Sequence, residues 1–217
     1  MRKKANHKGL FITFEGIDGC GKTTQAMLTS QYLSARGHKI NLLREPGSTE
    51  VAERIRKILL APELTLGNTC ELLLYEAARA ELVQREIAPL LQRGEVILCD
   101  RFYDSTTAYQ GFGRKLDVRM VKQLHRVATN NIVPDLTLVF DCDLDTAMSR
   151  RKGKPDRLES QSREFFTRVR SGFLEIARKE RHRVKVIDAT QAADDVFAEV
   201  IKLLKRKLRL YESLHVA

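Results

Sequence analysis

One stretch, residues 16–23, constrains the fold more than any other part of the chain. It reads Gly16-Ile17-Asp18-Gly19-Cys20-Gly21-Lys22-Thr23 and fits the pattern G-x-x-x-x-G-K-[ST] at every position. An apolar run over 10–14 precedes it, and a helical pattern over 22–35 follows it. Glycines let such a loop curl so that backbone N–H groups point at phosphate oxygens, and the following helix adds its positive dipole end. The stretch, called the phosphate loop below, therefore predicts a strand, a phosphate-binding loop and a helix in that order.

Two side chains of the phosphate loop carry specific chemistry. Lys22 can reach the β- and γ-phosphates of a nucleotide, and the Thr23 hydroxyl can bind Mg²⁺. A chance glycine-rich turn is the alternative, and the strand–loop–helix context argues against it. The dinucleotide fingerprint G-x-G-x-x-G is excluded because the glycines stand at 16, 19 and 21.

Composition fits an ordinary globular protein. The 217 residues are 43% hydrophobic and 30% charged, which suits one domain over 1–217 with a substantial core and argues against disorder. The net charge of +10 is compatible with nucleic acid, with polyanionic small molecules such as nucleotides, or with a basic surface of no special function. Aromatic residues are few and scattered, so we do not expect nucleic acid as a partner.

The cysteines and the N-terminal residues indicate a compartment. The four cysteines are Cys20, Cys70, Cys99 and Cys142. None forms C-x-x-C, so buried thiols in a reducing compartment are favoured over a metal site. A basic start over 1–4 is followed by an apolar run of only five residues, too short for a signal peptide or a membrane span. We therefore expect a cytoplasmic protein with no membrane partner.

Five short apolar runs alternate with helical patterns along the chain. The runs cover 10–14, 39–43, 95–99, 136–142 and 184–187. They are apolar at nearly every residue, as strands buried on both faces are. The alternation predicts an α/β fold of the P-loop NTPase type, with a five-stranded parallel sheet and helices on both faces. We expect Ser48 or Thr49 to cap a helix, and further helices over 69–92, 159–179 and 193–214.

Charged residues follow the second and third predicted strands. Arg44 and Glu45 precede a Pro-Gly turn, and Asp100 and Arg101 follow the third strand. Open α/β sheets place their ligands at the carboxyl ends of their strands. Asp100 can hold the water shell of Mg²⁺ and Arg101 can offer a fork to phosphate, although a structural Asp–Arg pair is an equal alternative.

The helical segment over 69–92 combines a predicted core face with a possible base site. Its predicted core residues are Leu72, Leu73, Ala77, Ala80, Leu82, Val83, Ile87 and Leu91. Tyr75 and Arg79 are four residues apart and share one side of the helix. Together they could bracket a nucleobase, but ordinary packing with a solvated arginine is the simpler interpretation. The polar and aromatic stretch 102–111 would suit recognition of a base and a sugar.

A basic segment near residue 150 favours a loop. Five cations lie within 150–157, with Gly153 and Pro155 among them. Such a loop could close over phosphates and exclude water, or it could be a solvated charged turn. We expect the former and call residues 149–158 the lid segment.

Taken together, these motifs resemble the thymidylate (dTMP) kinase family over 10–190. The motifs are the stretch 14–25 around the phosphate loop, Arg44-Glu45-Pro46-Gly47, Tyr75-Glu76-Ala77-Ala78-Arg79, Asp100-Arg101-Phe102 with Ser105-Thr106, Ala108-Tyr109-Gln110-Gly111, and Pro134-Asp135-Leu136-Thr137. The phosphate loop is shared by many NTPases, whereas the Arg-Glu-Pro-Gly and Ala-Tyr-Gln elements are more specific. The resemblance implies a nucleoside monophosphate kinase-like fold, ATP and dTMP as substrates, Mg²⁺, and a homodimer. The apolar helices within 72–91 and 117–129 could supply the dimer interface.

The resemblance also implies roles for individual residues. ATP is expected on the phosphate loop, with its adenine near 188–190. The implied acceptor residues are Asp18, Glu45, Arg56, Tyr75, Arg79, Arg101, Ser105, Thr106, Tyr109 and Gln110. Of these, Arg79, Thr106 and Gln110 are expected at the base.

Other implied roles concern the sugar, the phosphate, the metal and the chemistry. Tyr109 is expected on the sugar, Asp18 near its 3′-hydroxyl and the metal, and Arg56 and Arg101 on the phosphate. Tyr75 stands where the family usually stacks a Phe on thymine, and Phe102 where it commonly has Tyr or His. The implied metal residues are Thr23 and Asp100, and the implied catalytic residues are Lys22, Arg101, Arg150, Arg151 and Asp18. Glu45–Pro46 is expected to be a cis peptide.

The phosphate loop has no arginine between Gly16 and Gly21, whereas the lid segment has three. The chain therefore resembles the family members whose catalytic arginine lies in the lid. The acceptor oxygen belongs to a phosphate monoester that is mostly dianionic at pH 7, so no general base is required. Catalysis would then consist of positioning and charge neutralisation.

Two other classes of function stay open on sequence grounds. One is a kinase for another nucleoside monophosphate or for a deoxynucleoside. The other is a P-loop switch or a nucleic-acid-dependent ATPase. A GTPase would need an Asn-Lys-x-Asp motif to recognise guanine, and residues 130–133 do not match that motif.

Overall fold

The computed structural model describes residues 9–151 and 153–213. The five strands are β1 (Leu10–Glu15), β2 (Ile40–Arg44), β3 (Val96–Asp100), β4 (Leu136–Asp141) and β5 (Val184–Asp188). The α-helices are α1 (Lys22–Ser34), α2 (Glu50–Leu60), α3 (Asn68–Leu82), α4 (Ala88–Gln92), α5 (Tyr103–Thr106), α6 (Val118–Ala128), α7 (Leu144–Ser149), α8 (Arg163–Lys179) and α9 (Ala193–Glu212). Two wider π-helical turns, Val83–Ile87 and Thr107–Gly113, join α3 to α4 and continue α5.

The strands form one parallel sheet in the order β2-β3-β1-β4-β5. This confirms the predicted fold, with each strand within about one residue of its expected bounds. Asp100 at the end of β3 pairs in register with Phe14 of β1 on one side and with Arg44 of β2 on the other. The carboxyl ends of three adjacent strands therefore meet at one edge of the sheet.

The central strands are buried on both faces, as their continuous apolar runs predict. Ile12 and Phe14 of β1 belong to the core cluster on one side of the sheet, while Phe11 belongs to the cluster on the other side. The same expectation is wrong for the two edge strands. Leu42 of β2 and Val186 of β5 are 43% and 42% exposed. An edge strand has a neighbour on one side only, so its outer part is less covered.

Helix ends follow their capping residues. Thr49 caps α2 and accepts a hydrogen bond from the backbone N–H of Ala52. Helix α8 begins at Arg163 and not at 159, because Ser162 caps it and the residues before it form a turn. Position 214, where the last helix was expected to end, lies outside the described residues.

The long helical segment exists as predicted, but its buried face is different. Leu73 is 50% exposed, and Ala77 is exposed as well, although both were expected in the core. The buried face instead carries the charged residues Glu71, Glu76 and Arg79. The pattern of apolar residues did not identify the buried face of the helix, because it assumes that charged residues are exposed. Here buried partners on other elements neutralise these charges.

Two further expectations concern cysteines and membranes. All four cysteines are free, and Cys20, Cys99 and Cys142 are buried while Cys70 is exposed. Within 9–151 and 153–213, every helix is too short or too polar to cross a membrane.

Candidate active site

The phosphate loop connects the end of β1 to the first residue of α1. Gly16, Gly19 and Gly21 have φ angles of 140°, 89° and 92°, a region that favours glycine. At Gly19 a Cβ atom would lie only 2.0 Å from the carbonyl oxygen of Ala147. Gly21 precedes α1 and has no side chain to cap it, so the first N–H groups of that helix are available to an anion.

Asp18 lies at the centre of a polar cluster inside the loop. Its Oδ1 accepts hydrogen bonds from Arg101 Nη2 at 2.5 Å and from Lys22 Nζ at 3.1 Å. Its Oδ2 accepts one from the Tyr109 hydroxyl at 3.1 Å. Burial alone would raise the pKa of Asp18, but the positive charges of Arg101 and Lys22 hold that pKa well below its usual range. Asp18 is therefore ionised at neutral pH and links β3 to the phosphate loop.

Arg101 is held in an unusual backbone conformation at the end of β3. Its φ is 72°, and its Nη1 donates to the carbonyl oxygen of Gly16 and to Ser105 Oγ, both at 2.9 Å. The fully buried Glu15 holds the residues that follow Arg101 in sequence. Its carboxylate accepts hydrogen bonds from the Phe102 N–H at 2.7 Å and from Ser105 Oγ at 2.5 Å. Burial raises the pKa of Glu15 to about 8. Sequence analysis did not identify Glu15.

Thr23 and Asp100 provide oxygen atoms suited to Mg²⁺. Thr23 Oγ1 donates to Asp100 Oδ2 at 2.5 Å. The other carboxylate oxygen of Asp100 is buried and has no hydrogen-bond partner among the described residues. Mg²⁺ prefers hard oxygen ligands and is usually held by one or two protein groups together with water and phosphate oxygens, so this pair fits it. Within 9–151 and 153–213, His, Cys, Asp and Glu form no cluster of three that could hold a metal by itself.

A cleft opens beside the phosphate loop, and its empty space, including the part open to solvent, is about 530 Å³. All ten residues expected at the acceptor line it, together with Pro46, Leu60, Phe102, Asp156 and Leu158. The Glu45–Pro46 peptide beside it is cis, as expected. Arg56 is fixed at the cleft by a 2.9 Å hydrogen bond from Nη1 to the carbonyl oxygen of Pro46.

Arg79 lies fully inside the protein, where it lines the cleft, so the solvated arginine considered above is wrong. Its guanidinium donates to Glu45 Oε2 from Nε at 2.9 Å and from Nη2 at 2.7 Å, and to Glu76 Oε1 from Nη1 at 2.9 Å. Nη2 also donates to Thr106 Oγ1 at 2.9 Å. Burial raises the pKa of Glu45 to about 7 despite the charge of Arg79. The network fixes the guanidinium in the wall of the cleft.

The lid segment begins at the end of α7. Its two expected catalytic arginines contact different loops. Arg150 donates to the carbonyl oxygen of Ala189 at 2.7 Å, in the loop after β5. Arg151 donates from Nε to the carbonyl oxygen of Asp18 at 3.1 Å, on the phosphate loop. Lys152 lies outside the described residues.

The third arginine of the lid segment faces inward. Arg157 is 9% exposed, and its Nε donates to the carbonyl oxygen of Leu59 at 2.8 Å. Its Nη1 donates to Glu71 Oε2 at 2.6 Å. The end of the lid segment is therefore anchored to α2 and α3.

Two buried residues near the cleft were missed by sequence analysis. Glu71 lies four residues before Tyr75, so extending the Tyr75–Arg79 face by one turn would have found it. His125 contacts Glu76 Oε1 through Nδ1 at 2.7 Å and Thr107 Oγ1 through Nε2 at 2.8 Å. Its partners are distant in sequence, and no local signal points to it.

Comparisons with known proteins agree with this geometry. The family model described as thymidylate kinase matches residues 14–200. A thymidylate kinase of Pelotomaculum thermopropionicum is 47% identical over 93% of this chain and 95% of its own length. One from Chlorobium phaeobacteroides is 42% identical over 95% of this chain and 99% of its own. The crystal structure of thymidylate kinase from Ehrlichia chaffeensis superposes with a TM-score of 0.74 at 39% identity, over 90% of this chain and 98% of that one.

Proposed function

The chain belongs to the thymidylate kinase family, and we propose that its cleft binds dTMP while its phosphate loop binds ATP. The enzyme phosphorylates dTMP to dTDP, a step in the supply of dTTP for DNA synthesis. The observation that carries the site assignment is the position of the cleft, which opens beside the loop and shares Asp18 with it.

The reaction is an in-line displacement at the γ-phosphorus of ATP. A phosphate oxygen of dTMP forms the new P–O bond, the bond to the β,γ-bridging oxygen breaks, and ADP leaves with that electron pair. The dTMP monoester has a second pKa of about 6, so it is mostly dianionic at neutral pH and needs no general base.

The roles in the transfer follow from where the cations lie. Lys22 contacts the β- and γ-phosphates, and Arg101 holds the dTMP phosphate in line. Mg²⁺, held by Thr23 directly and by Asp100 through water, would neutralise charge on the phosphate oxygens. Arg151 is the lid arginine that reaches the phosphate loop, which supports it as the one that contacts the transferring group. Arg150 contacts the loop after β5, which supports a role beside the adenine.

The acceptor lies along the cleft with its base at the Arg79 end. Arg79 donates to the thymine O4, Thr106 and Gln110 contact the same base, and Tyr75 stacks on it. Tyr109 packs on the deoxyribose, where it leaves no space for a 2′-hydroxyl. Arg56 joins Arg101 on the phosphate. Ser105 holds Arg101 in place, and Glu45 holds Arg79 at the base.

We also propose a single catalytic unit over 1–217 in which the lid segment closes over bound nucleotides. The enzyme forms a homodimer through α3 and α6, which leave the apolar side chains of Leu73 and Val127 exposed. The free cysteines support a cytoplasmic, reducing location.

A panel of acceptors tests the proposal. Purified protein is incubated with ATP and Mg²⁺ and with dTMP, dUMP, dCMP, dAMP, dGMP or thymidine, and ADP is measured. The proposal predicts the highest kcat/KM for dTMP. A higher value for another acceptor, or ATP hydrolysis that requires added DNA or RNA, would contradict it.

A further inference from the structure

A buried carboxylate behind the cleft organises one of its base-contacting side chains. Glu71, in the first turn of α3, is fully buried and does not line the cleft. Its Oε1 accepts from Gln110 Nε2 at 2.8 Å and from Arg114 Nε at 3.1 Å. Its Oε2 accepts from Arg157 Nη1 at 2.6 Å and from Arg114 Nη2 at 3.0 Å.

The two arginines fix Glu71 in one place and keep it ionised. Arg114 holds both carboxylate oxygens as a fork, and its remaining Nη1 donates to Gln161 at 2.7 Å. Burial would raise the pKa of Glu71, but hydrogen bonds from Arg114, Gln110 and Arg157 lower it below its usual value. The carboxylate is therefore a rigid acceptor at neutral pH.

A rigid acceptor determines which way the Gln110 amide turns. The two ends of a glutamine amide have nearly the same shape, so neighbouring groups decide its orientation. An ionised carboxylate accepts hydrogen bonds and cannot donate them, so Gln110 must turn its NH₂ group toward Glu71. The amide oxygen then faces away from Glu71. Gln110 itself lines the cleft.

We propose that Glu71 is a positioning residue, which turns the Gln110 amide so that its oxygen accepts a hydrogen bond from the base of the bound nucleoside monophosphate. The proposal rests on the proposed function, in which Gln110 contacts that base. A ring N–H, such as N3–H of thymine or uracil, satisfies the amide oxygen. Cytosine has a bare N3 at the same place, and two acceptors facing each other repel. Glu71 therefore contributes to selection of thymine over cytosine without touching either.

The substitution Glu71→Gln tests this role. The variant side chain can turn its own NH₂ toward Gln110, which then reverses and presents its NH₂ to the cleft. Dissociation constants for dTMP and dCMP are measured by isothermal titration calorimetry for both proteins. We expect the ratio of the dCMP constant to the dTMP constant to fall at least about tenfold in the variant, the effect of exchanging a matched hydrogen bond for a mismatched one.

The control is Asp104→Asn, which removes another buried charge, one that is hydrogen-bonded to Arg183 and Thr137 and not to Gln110. Asp104 is 2% exposed and pairs with the buried Arg183. This variant is expected to keep the wild-type ratio. An unchanged ratio in Glu71→Gln, with both nucleotides weakened equally, would show a merely structural role and overturn the inference.

Two further outcomes keep the inference separate from the proposed function. If Glu71→Gln does not fold, a wild-type ratio near one overturns the inference, because an amide oxygen facing the base would disfavour dCMP. A high wild-type ratio could also come from Arg79, so Gln110→Leu is then compared, and an unchanged ratio in that variant overturns the inference. If the wild-type protein forms no dTDP from dTMP, the proposed function fails. If it forms dTDP and the Glu71→Gln ratio is unchanged, only the role of Glu71 fails.

Discussion

Arg101 Nη2 lies 2.5 Å from Asp18 Oδ1, so an ion pair joins the end of β3 to the phosphate loop at the mouth of the cleft. The same carboxylate oxygen accepts from Lys22 Nζ at 3.1 Å. One carboxylate thus sets the spacing between the cation assigned to the acceptor phosphate and the cation assigned to the ATP phosphates. Such fixed spacing is what in-line transfer requires.

The first prediction concerns Arg101. We expect Arg101→Ala to lower kcat by about 10²–10³-fold, since it removes a preorganised donor aimed at charge in the transition state. Arg101→Lys keeps the charge without the fork, so its kcat should lie between those of the wild type and the alanine variant. Steady-state kinetics with dTMP measures both, and near-normal turnover in Arg101→Ala would remove the role assigned to this residue.

The second prediction separates two glycines of the phosphate loop. Gly21→Ala should lower the free energy of unfolding by about 1–2 kcal/mol, the cost of a side chain at positive φ, because no atom of the described residues lies within 4 Å of the added Cβ. Gly19→Ala should cost about 2 kcal/mol more, because its Cβ would collide with the backbone of Ala147. Urea unfolding compares them, and equal midpoints would mean that α7 is free to move away.

The third prediction is a pH dependence caused by Glu15. The pKa of this carboxyl is about 8 in the folded protein, against an ordinary value of about 4.5. The folded state therefore binds more protons than the unfolded state between these values, and stability falls as pH rises through them, by at most about 1.4 kcal/mol per pH unit. Glu15→Gln cannot ionise, so it should gain stability relative to the wild type from pH 5 to pH 8. The free energy of unfolding of both proteins is measured by urea unfolding at each pH. A difference between them that stays constant from pH 5 to pH 8 would contradict a raised pKa.

The fourth prediction concerns the homodimer. Val127 on α6 is 81% exposed and Leu73 on α3 is 50% exposed, and the two helices pack against each other. A charge at Val127 would be buried without a partner in a dimer formed through this face, so Val127→Glu should yield monomers. Leu174→Glu is the control, because Leu174 is 37% exposed on α8, a helix that is not part of the proposed interface. Sedimentation velocity measures both, and a wild-type monomer, or a Val127→Glu dimer as tight as the wild type, would contradict the interface.

Sequence patterns predicted the sheet and the phosphate loop because their signals are local. Apolar runs specify buried strands, and the glycines at 16, 19 and 21 are needed by the backbone itself. The same reasoning failed for Leu73, Ala77 and Arg79, because amphipathic patterns assume that charged residues are exposed.

What makes Arg79 buried lies far away in the chain. Its partners Glu45 and Thr106 are 34 and 27 residues distant, and a single sequence does not indicate which charges meet. Glu15 was missed for the same reason, since it acts through partners on another element. Glu71 lies on the same helix face as Tyr75, one turn earlier, and was missed because that face was not extended. Residue patterns suggested parts of the cleft, but its full set of ten residues was anticipated only through motif resemblance, which stands in for those long-range contacts.

The most direct test of the account is to identify both products of one reaction. Wild-type protein, ATP, Mg²⁺ and dTMP are followed by ³¹P nuclear magnetic resonance, with a parallel sample containing excess EDTA. We expect dTDP and ADP to appear in equal amounts without inorganic phosphate, and we expect EDTA to abolish both. ADP with inorganic phosphate and unchanged dTMP would contradict it, because the γ-phosphoryl group would then have gone to water and not to the acceptor in the cleft.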